Sequence, residues 1–176
     1  MNDVVKKIAV IQGTPSTEVQ GLFRALADRW RPSVLLGGVV AEDHGLPDRA
    51  CSAGYLRSLR SDERFAIFQD LGPGSTGCHL DSAGASIAAE TVQRDIASGC
   101  DLVLLSKFGK LEADGRGLRD AFSAAIEAGI PVLTSVSPAF EEAWARFAAP
   151  LFVVVPADAG RIEAWRRDVC PGKRAA

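Results

Sequence analysis

The sequence has no two cysteines close enough along the chain to act together, no long uninterrupted apolar run and no marked excess of either charge. Its four cysteines, Cys51, Cys78, Cys100 and Cys170, stand far apart and form no C-x-x-C. That argues against a structural zinc site or a thioredoxin-like motif and fits reduced thiols in a cytoplasmic protein. Cys78 and His79, with Asp81 nearby, are metal-ligand types. Adjacent residues in an extended segment point to opposite sides, however, and no second ligand pair accompanies them, so no metal site is expected. No stretch approaches the roughly 18 uninterrupted apolar residues of a membrane span. The opening MNDVVKKIAV leads directly into a short apolar run, without the long apolar core and small-residue cleavage pattern of a signal peptide. A net charge of -2 gives no general attraction to nucleic acid or an anionic membrane, so any anion site must be local.

Catalytic constellations are also missing. There is no G-x-S-x-G and no Ser-His-Asp arrangement. The only histidines, His44 and His79, have no partner defined by spacing and read as loop residues. No internal repeat, low-complexity segment or linker breaks the chain.

What remains is an ordinary globular composition, 47% hydrophobic and 24% charged over 176 residues, which suits one core. One domain is expected over residues 1–170, with a loose tail at 171–176.

The pattern alternates strands and helices. Lys7 to Gln12 is a short apolar run ending in Gly13-Thr14-Pro15, and Val19, Leu22, Phe23, Leu26 and Trp30 recur at helical spacing. Ser16 or Thr17 is the expected cap of that helix, with Glu18 in its first turn. Ser33 to Ala41 reads as a second strand, followed by the loop EDHGLPDRA. Tyr55 to Arg60 and Phe65 to Asp70 alternate loosely around Ser61-Asp62-Glu63 and suggest an antiparallel hairpin, with a short helix as the alternative for the first. A Gly-rich loop at 72–77 precedes an alanine-rich helix opening at Asp81 or Ser82 and ending at Gly99.

Asp101 to Ser106 is a continuous apolar run of the kind found in strands covered on both faces. A helix from about Gly117 to Ala128, a strand at Pro131 to Val136, a helix at Pro138 to Phe147, a strand at Leu151 to Val155 and a helix at Ala159 to Arg167 complete the series. These elements predict an α/β fold: three layers, a mostly parallel sheet with helices on both faces, and a β-hairpin insertion. Ligands in such sheets bind beyond the strands' carboxyl ends. The loops after Gln12 and after Leu105 both leave strands at that edge.

The first of these loops, Gly13-Thr14-Pro15-Ser16-Thr17, occupies the place of a phosphate-binding loop but lacks its Gly-Lys-Ser/Thr ending, and Thr17-Glu18-Val19 lies near that place. Either it is a tight strand-to-helix turn, or it is a reduced anion site made of helix N–H groups and the hydroxyls of Thr14, Ser16 and Thr17. The second loop supplies positive charge instead. Lys107 and Lys110 flank Gly109, and a bent loop could bring both toward the first loop, with the Ser106 or Gly109 backbone alongside. The alternative is that they are solvated charges balanced by Glu112 and Asp114. Those two are also the nearest acids for general-base or magnesium duty, yet Ser106-Lys107 stands where a strand-end acid of a nucleotide hydrolase would be expected.

The blocks Gly77-Cys78-His79-Leu80-Asp81, Asp101-Leu102-Val103 through Lys107-Phe108-Gly109-Lys110 and Glu112, Gly115-Arg116-Gly117-Leu118, and Gly129-Ile130-Pro131-Val132-Leu133 together resemble a bacterial family known as domain of unknown function 2478. Ser106 stands where that family's signature has asparagine. The family is in turn similar to small P-loop nucleoside triphosphatases, and Phe108-Gly109-Lys110-Leu111-Glu112 resembles a stretch found there. The resemblance implies a P-loop NTPase-like fold descended from nucleotide binders. It also implies an association with molybdate transport, since members often lie beside such genes.

The leading expectation is a protein that binds a small anionic ligand, a nucleotide or an oxyanion. Gly13, Thr14, Ser16, Thr17, Ser106, Lys107, Gly109, Lys110 and Arg116 are the candidate contacts, and magnesium would accompany a nucleotide. A second reading is an atypical magnesium-dependent nucleoside triphosphatase using Glu112 or Asp114. A third is a pseudo-enzyme interaction module working through a homodimer face or the hairpin around Tyr55 to Phe68.

Overall fold

A computed structural model describes residues 4–47, 53–68 and 80–171. The predicted alternation is present as β1 (Ile8–Gln12), α1 (Ser16–Trp30), β2 (Leu36–Asp43), β3 (Ala53–Ser58), β4 (Arg64–Ala66), α2 (Ser82–Ala97), β5 (Leu102–Leu105), α3 (Lys110–Ala113), α4 (Arg119–Glu127), β6 (Val132–Val136), α5 (Glu141–Ala148), β7 (Phe152–Val154) and α6 (Ala159–Val169). The strands form one sheet in the order β4-β3-β2-β5-β6-β1-β7. Contacts β2–β5, β5–β6, β6–β1 and β1–β7 are parallel, while β2–β3 and β3–β4 are antiparallel. The insertion is thus a hairpin extending one edge of a five-stranded parallel sheet. The three-layer α/β architecture read from the sequence is the observed one, and it fits a P-loop NTPase-like fold.

Strand periodicity sorts the core into two halves. Ile8, Val10, Val39, Val103, Leu105, Val132 and Val136 point to a face covered by α2, α4 and α5. Their alternates Ala9, Ile11, Leu36, Val40, Leu102, Leu104 and Leu133 point to a face covered by α1 and α6. Both faces are therefore apolar, which is why the strands read as continuous hydrophobic runs. Crossovers from β2 to β5, β5 to β6 and β6 to β7 pass over the first face. The crossover that runs the opposite way, β1 to β2, passes over the second, as a single handedness requires.

Beneath α4 and α5 lies an aromatic cluster. Phe108, Phe122 and Trp144 meet edge to face at centroid distances of 5.2 to 5.7 Å, and Phe147 stacks on Phe108 at 5.6 Å. The guanidinium of Arg119 sits 4.4 Å over Phe147, closing the cluster with a cation-π contact.

Two glycines mark where elements approach too closely for a side chain. Gly38, at φ +106 in β2, lies opposite Leu104 of β5, and a Cβ there would fall 1.9 Å from the Leu104 carbonyl oxygen. Gly84 in the first turns of α2 rests on β4, where a Cβ would lie 1.7 Å from the Ala66 carbonyl oxygen.

Boundaries differ from expectation in a few places. Residues after Trp30 make a turn, with Ser33 and Val34 N–H both donating to the Trp30 carbonyl, so β2 begins at Leu36. It runs on to Asp43 because β3 pairs with Glu42 and Asp43, residues expected in the loop. The helix expected at Pro138 opens with a 3-10 turn over Pro138–Phe140 before α5. Asp81 caps α2 as expected, its carboxylate accepting from the Ala83 N–H at 2.9 Å. The Gly-rich loop at 72–77, Cys78, His79 and most of the tail lie outside the described residues, among which no helix is long and apolar enough to cross a membrane.

On the second face Glu163 of α6 ties α1 to α6. Its carboxylate accepts from Arg166 at 2.7 Å, from the Trp30 indole at 2.6 Å and from Arg167 at 3.2 Å. Mainly through Arg166, its pKa falls from 4.5 to about 2, with burial opposing the shift. Because the folded value is the lower one, this contribution is full above pH 4.5 and is lost as pH falls through about 2. Glu163→Gln should therefore lower Tm most above about pH 5, with the gap to the parent protein closing by about pH 2. A pH-independent gap in thermal scans would show that the charge is not responsible.

Candidate functional site

β1 and β6 are parallel neighbours whose following helices leave for opposite faces, α1 on one and α5 on the other. Their carboxyl ends therefore diverge and open a crevice, the usual location of a ligand in an open α/β sheet. The crevice measures about 240 Å³. Gly13 to Ser16 and Val19 line one wall, Ser135 to Pro138 the other, and Lys107 closes the end toward β5.

The first wall is short. Only Gly13, Thr14 and Pro15 separate β1 from α1, with Gly13 at φ +74. The expected hydroxyl cap is absent because Pro15 itself takes the capping position. Its ring holds φ at −54, ψ of 136 keeps it extended, and its carbonyl accepts from Glu18 and Val19 at 3.1 and 3.2 Å. Ser16 and Thr17 are thus the first helical residues, with amides that have no helical carbonyl to meet. Their hydroxyls are left out of capping.

Lys107 is held from below. The carbonyl of Ser106, at the end of β5, accepts from Gln20 Nε2 of α1 and from Ser135 Oγ of β6, each at 2.8 Å, and all three residues are buried. Phe108 then donates its N–H to the Ser135 carbonyl and bridges Val136. Lys107 is therefore anchored on both chain sides, with its stem against Gly109, and no carboxylate among the described residues pairs with it.

The second lysine goes elsewhere. A bent loop was expected around Gly109, but Lys110 begins the short helix α3. Glu112 causes this. Its carboxylate is buried and accepts from the Gly109 N–H through one oxygen and from the Leu118 N–H through the other, both at 2.9 Å. Gly117, at φ +61, leaves room for that second bond, since a Cβ there would lie 2.4 Å from Glu112 Oε1. Arg119 further donates to the Glu112 carbonyl at 3.0 Å.

This clasp turns Lys110 outward, where it pairs with Asp114 at 3.1 Å; Arg116 approaches the same carboxylate at 3.7 Å. Of the candidate contacts, the structure brings Gly13, Thr14, Ser16 and Lys107 together around the crevice. Thr17, Ser106, Gly109, Lys110 and Arg116 do not line it. Glu112 and Asp114 are engaged in the clasp and in the Lys110–Asp114 pair.

Sequence reasoning missed the second wall. Ser135, Ser137 and Pro138 sit at the end of an apolar strand with no motif around them. Only the sheet order, which puts β6 beside β1, reveals them.

The chain is 37% identical over 165 residues to the molybdenum import ATP-binding protein ModC 2 of Bradyrhizobium diazoefficiens, a match covering 92% of this chain and 18% of that protein. The chain thus spans less than a fifth of that relative's length. No solved structure matches. The family model for proteins of unknown function, DUF2478, matches residues 8–165, nearly the whole ordered sheet and its helices, and the chain belongs to that family.

Proposed function

We propose that this protein holds a small anionic ligand, a nucleotide or an oxyanion, in the crevice between the β1–α1 and β6–α5 loops. The observation that carries this reading is Lys107: an ammonium unpaired among the described residues, anchored at the carboxyl edge of the sheet, facing the first turn of a fifteen-residue helix. Helix amides and the partial positive charge of the helix end favour an anion there. Thr14, Ser16 and Ser137 add hydroxyls at the rim. The molybdenum import relative supports a link to molybdate, to which tungstate is added for its chemical likeness. A hydrolytic reading has less support, because Glu112 spends both carboxylate oxygens on backbone amides and Asp114 is shared by two cations.

Calorimetric titration with ATP, GTP, phosphate and molybdate should find a ligand whose affinity drops about tenfold or more in Lys107→Ala, the worth of one charge-assisted contact. Lys110→Ala should change that affinity less than about twofold, since its charge is already paired outside the crevice. Equal losses in the two variants, or no binding to the intact protein, would sink the proposal.

A further inference from the structure

Resting on the reading that the crevice is an anion site, we infer that its ligand is a small tetrahedral oxyanion bound without a metal ion, and not a nucleoside triphosphate. Four observations converge on this.

The first is space. About 240 Å³ lies below the roughly 300–1,000 Å³ typical of pockets that enclose drug-sized ligands. A tetrahedral anion of five heavy atoms fits within it, whereas the base and ribose of a nucleoside triphosphate would extend beyond its lining.

The second is loop length. Wrapping a phosphate chain takes a run of successive backbone N–H groups. Here three residues join β1 to α1, and one of them, Pro15, has no N–H. The amides left to point at a ligand are those of one tight turn and the start of α1, enough for one tetrahedral group.

Charge is the third. Lys107 with the amino end of α1 amounts to roughly +1.5, the half charge being that of the helix end. This suits a dianion and leaves a triphosphate under-neutralised. Lys110 and Arg116, which could have added to it, are committed to Asp114 outside the crevice.

The fourth is the donor set. The described residues that line the crevice are glycine, threonine, prolines, serines, valines and a lysine. Among them is no carboxylate to hold magnesium, which takes its protein ligands chiefly from such groups, and no aromatic ring on which a base could stack. Hydroxyls, amides and one ammonium are the donors that a fully charged oxyanion needs.

The test is calorimetric titration of the full chain with sodium molybdate, sodium sulfate and inorganic phosphate, and separately with ATP, each with and without magnesium chloride. At least one oxyanion should bind. Its affinity should change less than about twofold with magnesium, fall about tenfold or more in Lys107→Ala and recover in part in Lys107→Arg. ATP at equal concentration should not displace it. Circular dichroism and Tm of both variants should match the parent protein, which keeps a loss of binding from being mistaken for a loss of fold.

ATP binding more tightly than all three oxyanions, in a Lys107-dependent way, would overturn this inference and leave the anion crevice standing. Oxyanion binding that requires magnesium, or that survives Lys107→Ala unchanged, would overturn it as well. No binding of any of the four compounds would remove both readings.

Discussion

Gly38→Ala should abolish the native fold at physiological temperature. The added methyl would sit 1.9 Å from the Leu104 carbonyl oxygen, well inside any van der Waals contact, and its neighbour is backbone in the centre of the sheet. Relief requires β2 to move away from β5, which disrupts the register Leu36↔Leu102 through Val39↔Leu105 and the faces that α1 and α2 cover. The expected loss is about 4 kcal/mol or more, of the same order as the 5–15 kcal/mol that holds a domain together. Gly99→Ala is the control. Gly99 also has a left-handed φ, +94, but nothing lies within 4 Å of its missing Cβ. Its substitution should cost only the backbone term, about 1–2 kcal/mol. Urea unfolding monitored by circular dichroism separates the two, and equal losses would show that strain, not collision, governs Gly38.

Glu112→Ala is expected to be nearly as damaging, by a different mechanism. It leaves the Gly109 and Leu118 N–H groups without an acceptor in a region closed to water, at about 1–3 kcal/mol each. The sum is about 2–6 kcal/mol, and the loss should appear first as faster hydrogen exchange at those two amides. Glu112→Gln should fall between, since its single carbonyl oxygen serves one amide while its NH2 faces the other. This intermediate rank is informative. A carboxylate whose only task was to activate water would give a glutamine variant as stable as the parent protein. Unfolding midpoints for the three proteins decide between these roles.

The same residue shows where sequence reasoning stopped. Glu112 read as a candidate base because acids near the carboxyl edge of a sheet often are, and nothing in the spacing E-x-x-x-x-G-L reveals that both oxygens point inward. That depends on Gly117 adopting φ +61 and on Leu118 presenting its amide, two tertiary facts. The strand and helix series was legible because burial on both faces makes strands uniformly apolar while each helix keeps one stripe, seen in Val19, Phe23, Leu26 and Trp30. The hairpin at Tyr55 to Phe65 was legible from its alternation.

Half of the crevice was legible too, as a loop between a strand and a helix. The wall at Ser135 to Pro138 was not, since it becomes a wall only through sheet order. The direction of Lys110 was likewise hidden, because one helical turn begun at Gly109 rotates it away from Lys107.

The clasp has a consequence for how relatives of this chain are recognised. Gly109 and Glu112 stand in the block running to Glu112, where the resemblance to the family is most specific, Gly117 stands in the next block, and together they serve to close a loop. Chains detected through that stretch share a scaffold. The small residues that line the crevice, Thr14, Ser16 and Ser137, lie outside both blocks, on two other loops that can diverge without loosening the clasp. On the proposed reading, two proteins with the same signature can therefore hold different anions, and the ligand of each has to be sought at its crevice walls, loop by loop.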